Sequence, residues 1–208
     1  MMYVVIALIS LLVGFATGRY RVYQLQHEGE GLVSKILLHD LPSPDYHLLN
    51  NVTLPVKDGT TQIDHIVVSR YGIFVIETKN YSGWLFANEH SPTWTQTLYK
   101  ARFKFQNPIH QNYAHVKAVQ ALLDFVPQQL VKSVVVFTGD AVFKTDRPAG
   151  VFAIEEISDF IRGFRDEVLT ENRLQFCVGR LECQRLALTK ETDVEHRTRL
   201  QKRFGSSD

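Results

Sequence analysis

The stretch TTQIDHIVVSRYGIFVIETKN, from Thr60 to Asn80, restricts the fold more than any other part of the chain. Two apolar, β-branched runs flank Arg70 to Gly72, the pattern of a β-hairpin. Into those runs are set four ionisable groups, Asp64, His65, Glu77 and Lys79. Side chains alternate faces along a strand, so Ile73, Val75, Glu77 and Lys79 share one face while Phe74, Ile76 and Thr78 share the other. A two-residue loop at Arg70-Tyr71 sets Asp64 across from Glu77, and one at Tyr71-Gly72 sets it across from Lys79; a three-residue loop turns it to the opposite face. On either two-residue pairing, two carboxylates and an amine meet at the end of an apolar hairpin. Burying them there is costly unless they bind something together. Convergent carboxylates suit a hard divalent cation such as Mg²⁺ or Mn²⁺, with the carbonyl of Thr78 as a third oxygen ligand. Lys79 would then orient or help deprotonate a water and offset charge on a phosphate, the chemistry of phosphodiester hydrolysis. The competing reading is a surface ion pair between Asp64 and Lys79, with Glu77 exposed at the strand end.

The 208 residues, 45% of them apolar, suffice for one sizeable core. A formal net charge of +1 gives no bulk signature of a nucleic-acid binder and leaves room for a local basic cleft. Cys177 and Cys183 are too few for a disulfide framework and are expected as reduced thiols. Met2 to Gly18 carries no charge and is followed at once by Arg19 and Arg21. A cleaved signal would place its basic residues before the apolar run. The expectation is therefore a transmembrane anchor over residues 1–20, with the body of the chain in the cytoplasm by the positive-inside rule.

Leu32, Val33, Ile36 and Leu37 recur at the spacing of one helical face and predict a helix from Gln24 to Asp40, with Glu30 near its first turn. LPSPD, Leu41 to Asp45, stops it. A strand is expected over Tyr46–Val56, then a turn at Lys57 to Gly59, then the hairpin, then short strands at Trp84–Phe86 and Thr93–Thr97. Asn107-Pro108 opens a second helix that runs to about Phe125. Val131–Thr138 reads as a buried strand, Ala149–Ile154 as a last short one, and Glu155–Val168 as a helix. Residues 24–168 form the expected domain. Residues 169–208 form a helical tail ending in a basic run, His196 to Arg203, read as a solvated face. His65, on the opposite strand face from Asp64, is expected in a core hydrogen bond. His115 follows Gln111 by one helical turn and is a candidate substrate contact. Trp84 and Trp94 are expected to cover the core. Lys100, Arg102 and Lys104 alternate with apolar residues, as a phosphate-facing strip or as an ordinary exposed strand face.

Taken together, EGEGLVSKIL at Glu28–Leu37, the hairpin extended to Trp84, Trp94 with Gln96, and NPIHQNYAHVKAV at Asn107–Val119 resemble the NERD family, the nuclease-related domain. The resemblance runs from about Gln26 to Asp140 and rests on the order and spacing of these pieces. It implies an α/β (α+β) fold of the PD-(D/E)xK nuclease-like superfamily, a restriction-endonuclease-like mixed β-sheet flanked by helices, here behind an N-terminal transmembrane helix. It also implies roles. Asp64 resembles the metal-binding aspartate, Glu77 and Lys79 the E-x-K pair, Glu30 the acidic residue of the leading helix that completes the metal site, and Gln111 a glutamine facing phosphate or water. The expectation is a Mg²⁺- or Mn²⁺-dependent nuclease at a bacterial inner membrane, its soluble domain in the cytoplasm, acting on DNA in preference to RNA. The alternative is a non-catalytic module that uses the same cleft to bind nucleic acid or protein.

Overall fold

The structure, a computed structural model, describes residues 24–187. Residues 24–40 form helix α1, whose Val33 and Leu37 are buried along one face. Pro42 and Pro44 follow it, and proline removes a helical donor and disfavours helical backbone in the residue before it. Strands β1 (Tyr46–Val56), β2 (Gly59–Ser69) and β3 (Gly72–Lys79) then form an antiparallel meander. Ser69 pairs with Gly72, so the second loop is Arg70-Tyr71. Gly72 sits at φ +148°, where a Cβ would stand 3.3 Å from the carbonyl oxygen of Leu130. Glycine is the residue that this positive-φ corner admits without strain.

After β3 the chain builds a second sheet before returning to the first. Strands β4 (Trp84–Phe86), β5 (Thr93–Leu98) and β6 (Ala101–Gln106) pair antiparallel, and helix α2 (Pro108–Leu122) leads to β7 (Val131–Phe137). β7 lies parallel beside β3, and β9 (Val151–Ala153) lies parallel beside β7, giving the order β1-β2-β3-β7-β9. A two-residue strand, β8 (Val142–Phe143), pairs parallel with β4 and closes the order β6-β5-β4-β8. Helices α3 (Ile157–Arg162) and α4 (Glu171–Gln184) complete the described chain. The fold is thus mixed α+β, with two mixed sheets flanked by helices.

The five-stranded sheet is covered on both faces. α2 and α4 pack Val116, Val119, Leu174 and Leu181 against Ile66, Val68, Ile73 and Val75 on one side. On the other, α1 and α3 pack Val33, Leu37, Ile157 and Ile161 against Val67, Phe74, Ile76 and Val136. A third cluster joins the small sheet to the large one, with Leu85 and Trp94 against Val135, Phe137 and Val151.

Several expectations are corrected. The strands after the first helix divide between two sheets, because β4 starts beyond a turn at Gly83, φ +78°, instead of extending the meander. The helix expected over 155–168 is shorter: the Gly163 N–H closes on Asp159 and Phe160, and the chain then runs without regular structure until the N–H groups of Val168 and Leu169 reach the Arg70 carbonyl. α2 stops at Leu122, three residues early. Trp94 is buried, but Trp84 is 52% exposed and covers no core. Residues 171–184 of the expected tail also belong to the core, through Leu174, Cys177 and Leu181. Among the described residues no helix is long and apolar enough to cross a membrane. The apolar run at 2–18 and the basic run at 196–203 lie outside the described residues.

Candidate active site

The site forms where two paired strands part. The ladder between β2 and β3 runs from Ser69↔Gly72 to His65↔Ile76 and stops, although β2 continues to Gly59 against β1. Carried one residue further, the same register sets Asp64 opposite Glu77. There Asp64 replaces the missing backbone partner: its Oδ2 accepts the Thr78 N–H at 2.7 Å. Asn51, on β1 just before the Val52↔Ile63 pair, has φ +52°, so the neighbouring strand bends at the same level. At this bend β1 also changes face, since Leu49 and Val52, three residues apart, both face the same core cluster. Strict alternation allows only residues two apart to do so.

Glu77 lies 1% exposed at this point, on the face shared with Ile73 and Val75 and covered by α2. Its Oε1 accepts from Lys79 Nζ at 2.5 Å, and its Oε2 stands 3.1 Å from Nε2 of His115. Lys79 Nζ also donates to Oε1 of Gln111 at 3.1 Å. Gln111 and His115 are one turn apart on α2, so a single helical face supplies both. The helix is held by Asn107, fully buried at its N-cap: Oδ1 accepts from the Ile109 N–H, and Nδ2 reaches the carbonyls of Asn88, Glu89 and Ser91. One turn on, Asn112 ties α2 to the sheet through the carbonyls of Val75 and Val134 and the hydroxyl of Ser133. His115 Nδ1 lies 2.6 Å from the Thr61 hydroxyl, which links Glu77 across α2 to the freed end of β2.

Helix α1 closes the other side. Gln26 Nε2 donates to the Thr78 carbonyl at 2.9 Å, leaving that oxygen its second lone pair. Glu30, one turn after Gln26, is near enough to Glu77 and Lys79 to feel both charges, and it pairs with His27 at 3.3 Å. Gly29 permits the close approach of α1, since a Cβ there would stand 2.6 Å from Thr138 Oγ1.

The electrostatics are those of three carboxyls sharing one ammonium. Burial pushes the Asp64 carboxyl well above its ordinary range, and the charges of Glu77 and Glu30 push it further. Burial likewise raises Glu30, with Glu77 adding to it against the pull of His27. Glu77 goes the other way: burial opposes ionisation, but Lys79 and His115 outweigh it and hold the carboxyl below its usual value. Lys79, despite burial, is kept protonated by Glu77 and Asp64. His65 faces the other side of the strand, with Nδ1 2.7 Å from Asn50 Oδ1, and burial depresses it to about 4.

A cavity of about 770 Å³ opens between α2 and the far end of the β1–β2 hairpin. Gln111 and His115 form its inner end, Leu54, Ala118 and Leu122 its apolar wall, and Lys57 and Lys117 belong to its lining. Site and cavity therefore meet at the same two α2 residues.

Among the described residues no three His, Cys, Asp or Glu side chains form a complete metal cage. The donor set fits a different kind of site. Mg²⁺ is commonly held by one or two carboxylates and keeps its remaining positions for water and substrate oxygens. Asp64, Glu77 and the Thr78 carbonyl are oxygens of that kind, and the Asp64 carboxyl, raised first by burial and then by the charges of Glu77 and Glu30, is one whose ionised form a cation would favour.

Two participants, Gln26 and Thr61, are absent from the sequence reading, and a third, His115, has a further role. Gln26 was detectable, because it precedes Glu30 by one turn on the same helical face. His115, expected as a candidate substrate contact, lines the cavity and is also a partner of Glu77. Thr61 carried no signal, since only the bend of β2 brings it to α2.

A mixed sheet that splits around two carboxylates and a lysine, with helices closing both sides, defines a domain built to hold charge at a strand end. The comparison with known families gives this class its name: residues 25–138 match the nuclease-related domain, and the chain belongs to that family. An uncharacterized protein of Bacillus anthracis is 47% identical over 97 residues, which is 46% of this chain and 45% of that protein. The match thus spans less than half of that relative. No solved structure matches the chain.

Proposed function

We propose that this protein is a metal-dependent phosphodiester hydrolase of restriction-endonuclease-like architecture that acts on DNA, or on RNA. The observation that carries the reading is the meeting of Asp64, Glu77 and Lys79 at the end of the β2–β3 ladder, beside a cavity that also exposes Gln111. Asp64, Glu77 and the Thr78 carbonyl would hold Mg²⁺ or Mn²⁺, with Glu30 as the outlying carboxylate. Such an ion, when bound, supplies polarisation of the phosphoryl group and an acidified water. Lys79 keeps its proton at Nζ and donates toward a non-bridging phosphate oxygen as negative charge develops there. Gln111 holds that ammonium in place from the cavity side. His115 keeps Glu77 ionised and oriented from behind. The chain would act at a bacterial inner membrane, anchored by residues 1–20, with this domain in the cytoplasm.

The test uses the full-length chain with end-labelled DNA and RNA, in Mg²⁺, Mn²⁺ or EDTA, beside Asp64→Ala and Lys79→Ala. Cleavage is expected with metal and not with EDTA, and each variant is expected to lose at least about 100-fold, as removal of charge-stabilising groups does. Thermal melts of the variants separate lost chemistry from lost folding. Equal product from all three proteins, or no product from the wild type with any metal, removes the hydrolase and leaves a binding module.

A further inference from the structure

Over β4 and β5 the small sheet has one face on the core and one on solvent, while β6 at its edge is exposed along both faces. On β4, Leu85 is fully buried while Trp84 and Phe86 on either side of it are 52% and 37% exposed. On β5, Trp94 and Gln96 point inward, so the three threonines between and around them point out. The register then lays two rows across the outer face: Trp84, Thr97 and Arg102 in one, Phe86, Thr95 and Lys104 in the other. Lys144, the residue after β8, places its ammonium 4.6 Å from the centroid of the Trp84 ring. None of the outward positions of these strands is Asp or Glu. Strands stand ~4.8 Å apart, so aromatics on β4 and cations on β6 are separated by about 10 Å of small, polar β5 surface. The next outward residue of β6 is Gln106, which also lines the cavity reached by Gln111 and His115.

We propose that this outer face is a stacking platform for single-stranded nucleic acid, which it leads past Gln106 into the cavity. Exposed rings give bases a flat apolar partner whatever their sequence, and nearby cations meet the phosphates. A duplex hides its base faces, so the arrangement selects unpaired strands. The face is free of carboxylates, as a polyanion requires. Only the direction of the strand into the cavity rests on the hydrolase reading; the binding face does not.

The experiment is done on the full-length chain in EDTA, so that cleavage cannot intervene, with fluorescein-labelled oligothymidylate, oligouridylate and a blunt DNA duplex. The chain has two tryptophans, and Trp94 is 1% exposed, so quenching of indole emission reports Trp84. Single strands are expected to quench that emission and to bind about 10-fold or more tighter than the duplex. Trp84→Ala with Phe86→Ala is expected to weaken single-strand binding by about 10-fold or more. Arg102→Gln with Lys104→Gln should lower the salt dependence by roughly one to two phosphates. Absence of quenching, unchanged affinity in both double variants, or equal binding of the duplex overturns the proposal, as does binding to anionic vesicles without binding to oligonucleotides. If binding and quenching hold but no metal supports cleavage, the hydrolase reading fails alone.

Discussion

Glu77 and His65 are neighbours across one strand pair, yet their surroundings drive them to opposite states. Glu77 is fully buried and stays charged because Lys79 and His115 each face one of its oxygens. His65 is just as buried and stays neutral, because its near partner is the amide of Asn50 and only the more distant charge of Glu77 favours protonation. A histidine depressed from 6.5 to about 4 is bare of its proton in the folded chain while the unfolded chain takes one up. Its contribution to stability is therefore complete above pH 6.5 and is lost as pH falls toward 4. The loss is roughly 3 kcal/mol at one pKa unit per 1.36 kcal/mol. Denaturant titrations of wild type and His65→Gln between pH 7 and 4 check this. The gap between the two stability curves should narrow as pH falls, and a constant gap would show that His65 does not titrate between them.

At the scale of elements, α2 decides whether the strand end becomes a site, because its one face carries Gln111, His115 and the anchor Asn112. The position of that face is set at its start, where Asn107 caps the helix and gathers three loop carbonyls with one side chain. Truncating it empties a fully buried position and takes this partner from the Ile109 N–H and from the Glu89 and Ser91 carbonyls, while the Asn88 carbonyl keeps the Trp94 indole. Asn107→Ala is expected to cost about 2 to 4 kcal/mol, more than an exposed cap, read as a shift in the midpoint of urea unfolding without a change in slope. Asn107→Asp, which keeps the accepting oxygen but loses the donor, should fall between the two.

In the described chain the five-stranded sheet carries a helical layer on each face, and the layer on the α2 side is finished only by α4. Leu169, Leu174, Cys177 and Leu181 are all 2% exposed or less and join the same cluster as Ile66 and Ile73. A chain ending at residue 168 would uncover that cluster and forfeit roughly 6 kcal/mol, taking about 1.5 kcal/mol for each of the four side chains. That is comparable to the full stability of an ordinary domain. Such a truncation is expected to lose its cooperative thermal transition, whereas one ending at residue 187 should keep it; differential scanning calorimetry of both separates the cases.

What could be read in the sequence was local in origin. The hairpin of Thr60–Asn80 follows from β-branched runs around Arg70 to Gly72, and the shared face of Glu77 and Lys79 follows from strand periodicity alone. Asn107-Pro108 announces α2 by the chemistry of a helix start. The α1 boundaries and β1 follow from apolar spacing and the prolines between them. Tertiary structure decided the rest. Periodicity cannot say that β2 leaves β3 at Asp64, because alternation runs unbroken only while both strands stay flat, and here Leu49 and Val52 on β1, three residues apart, face one core shared with distant helices. Nor could it find Gln26 on the Thr78 carbonyl or Thr61 on His115, since each partner is more than fifty residues away and only the closed sandwich brings them together. Nearest-neighbour geometry is written in the order of residues, while the pairing of distant polar groups waits on which apolar faces are buried against each other.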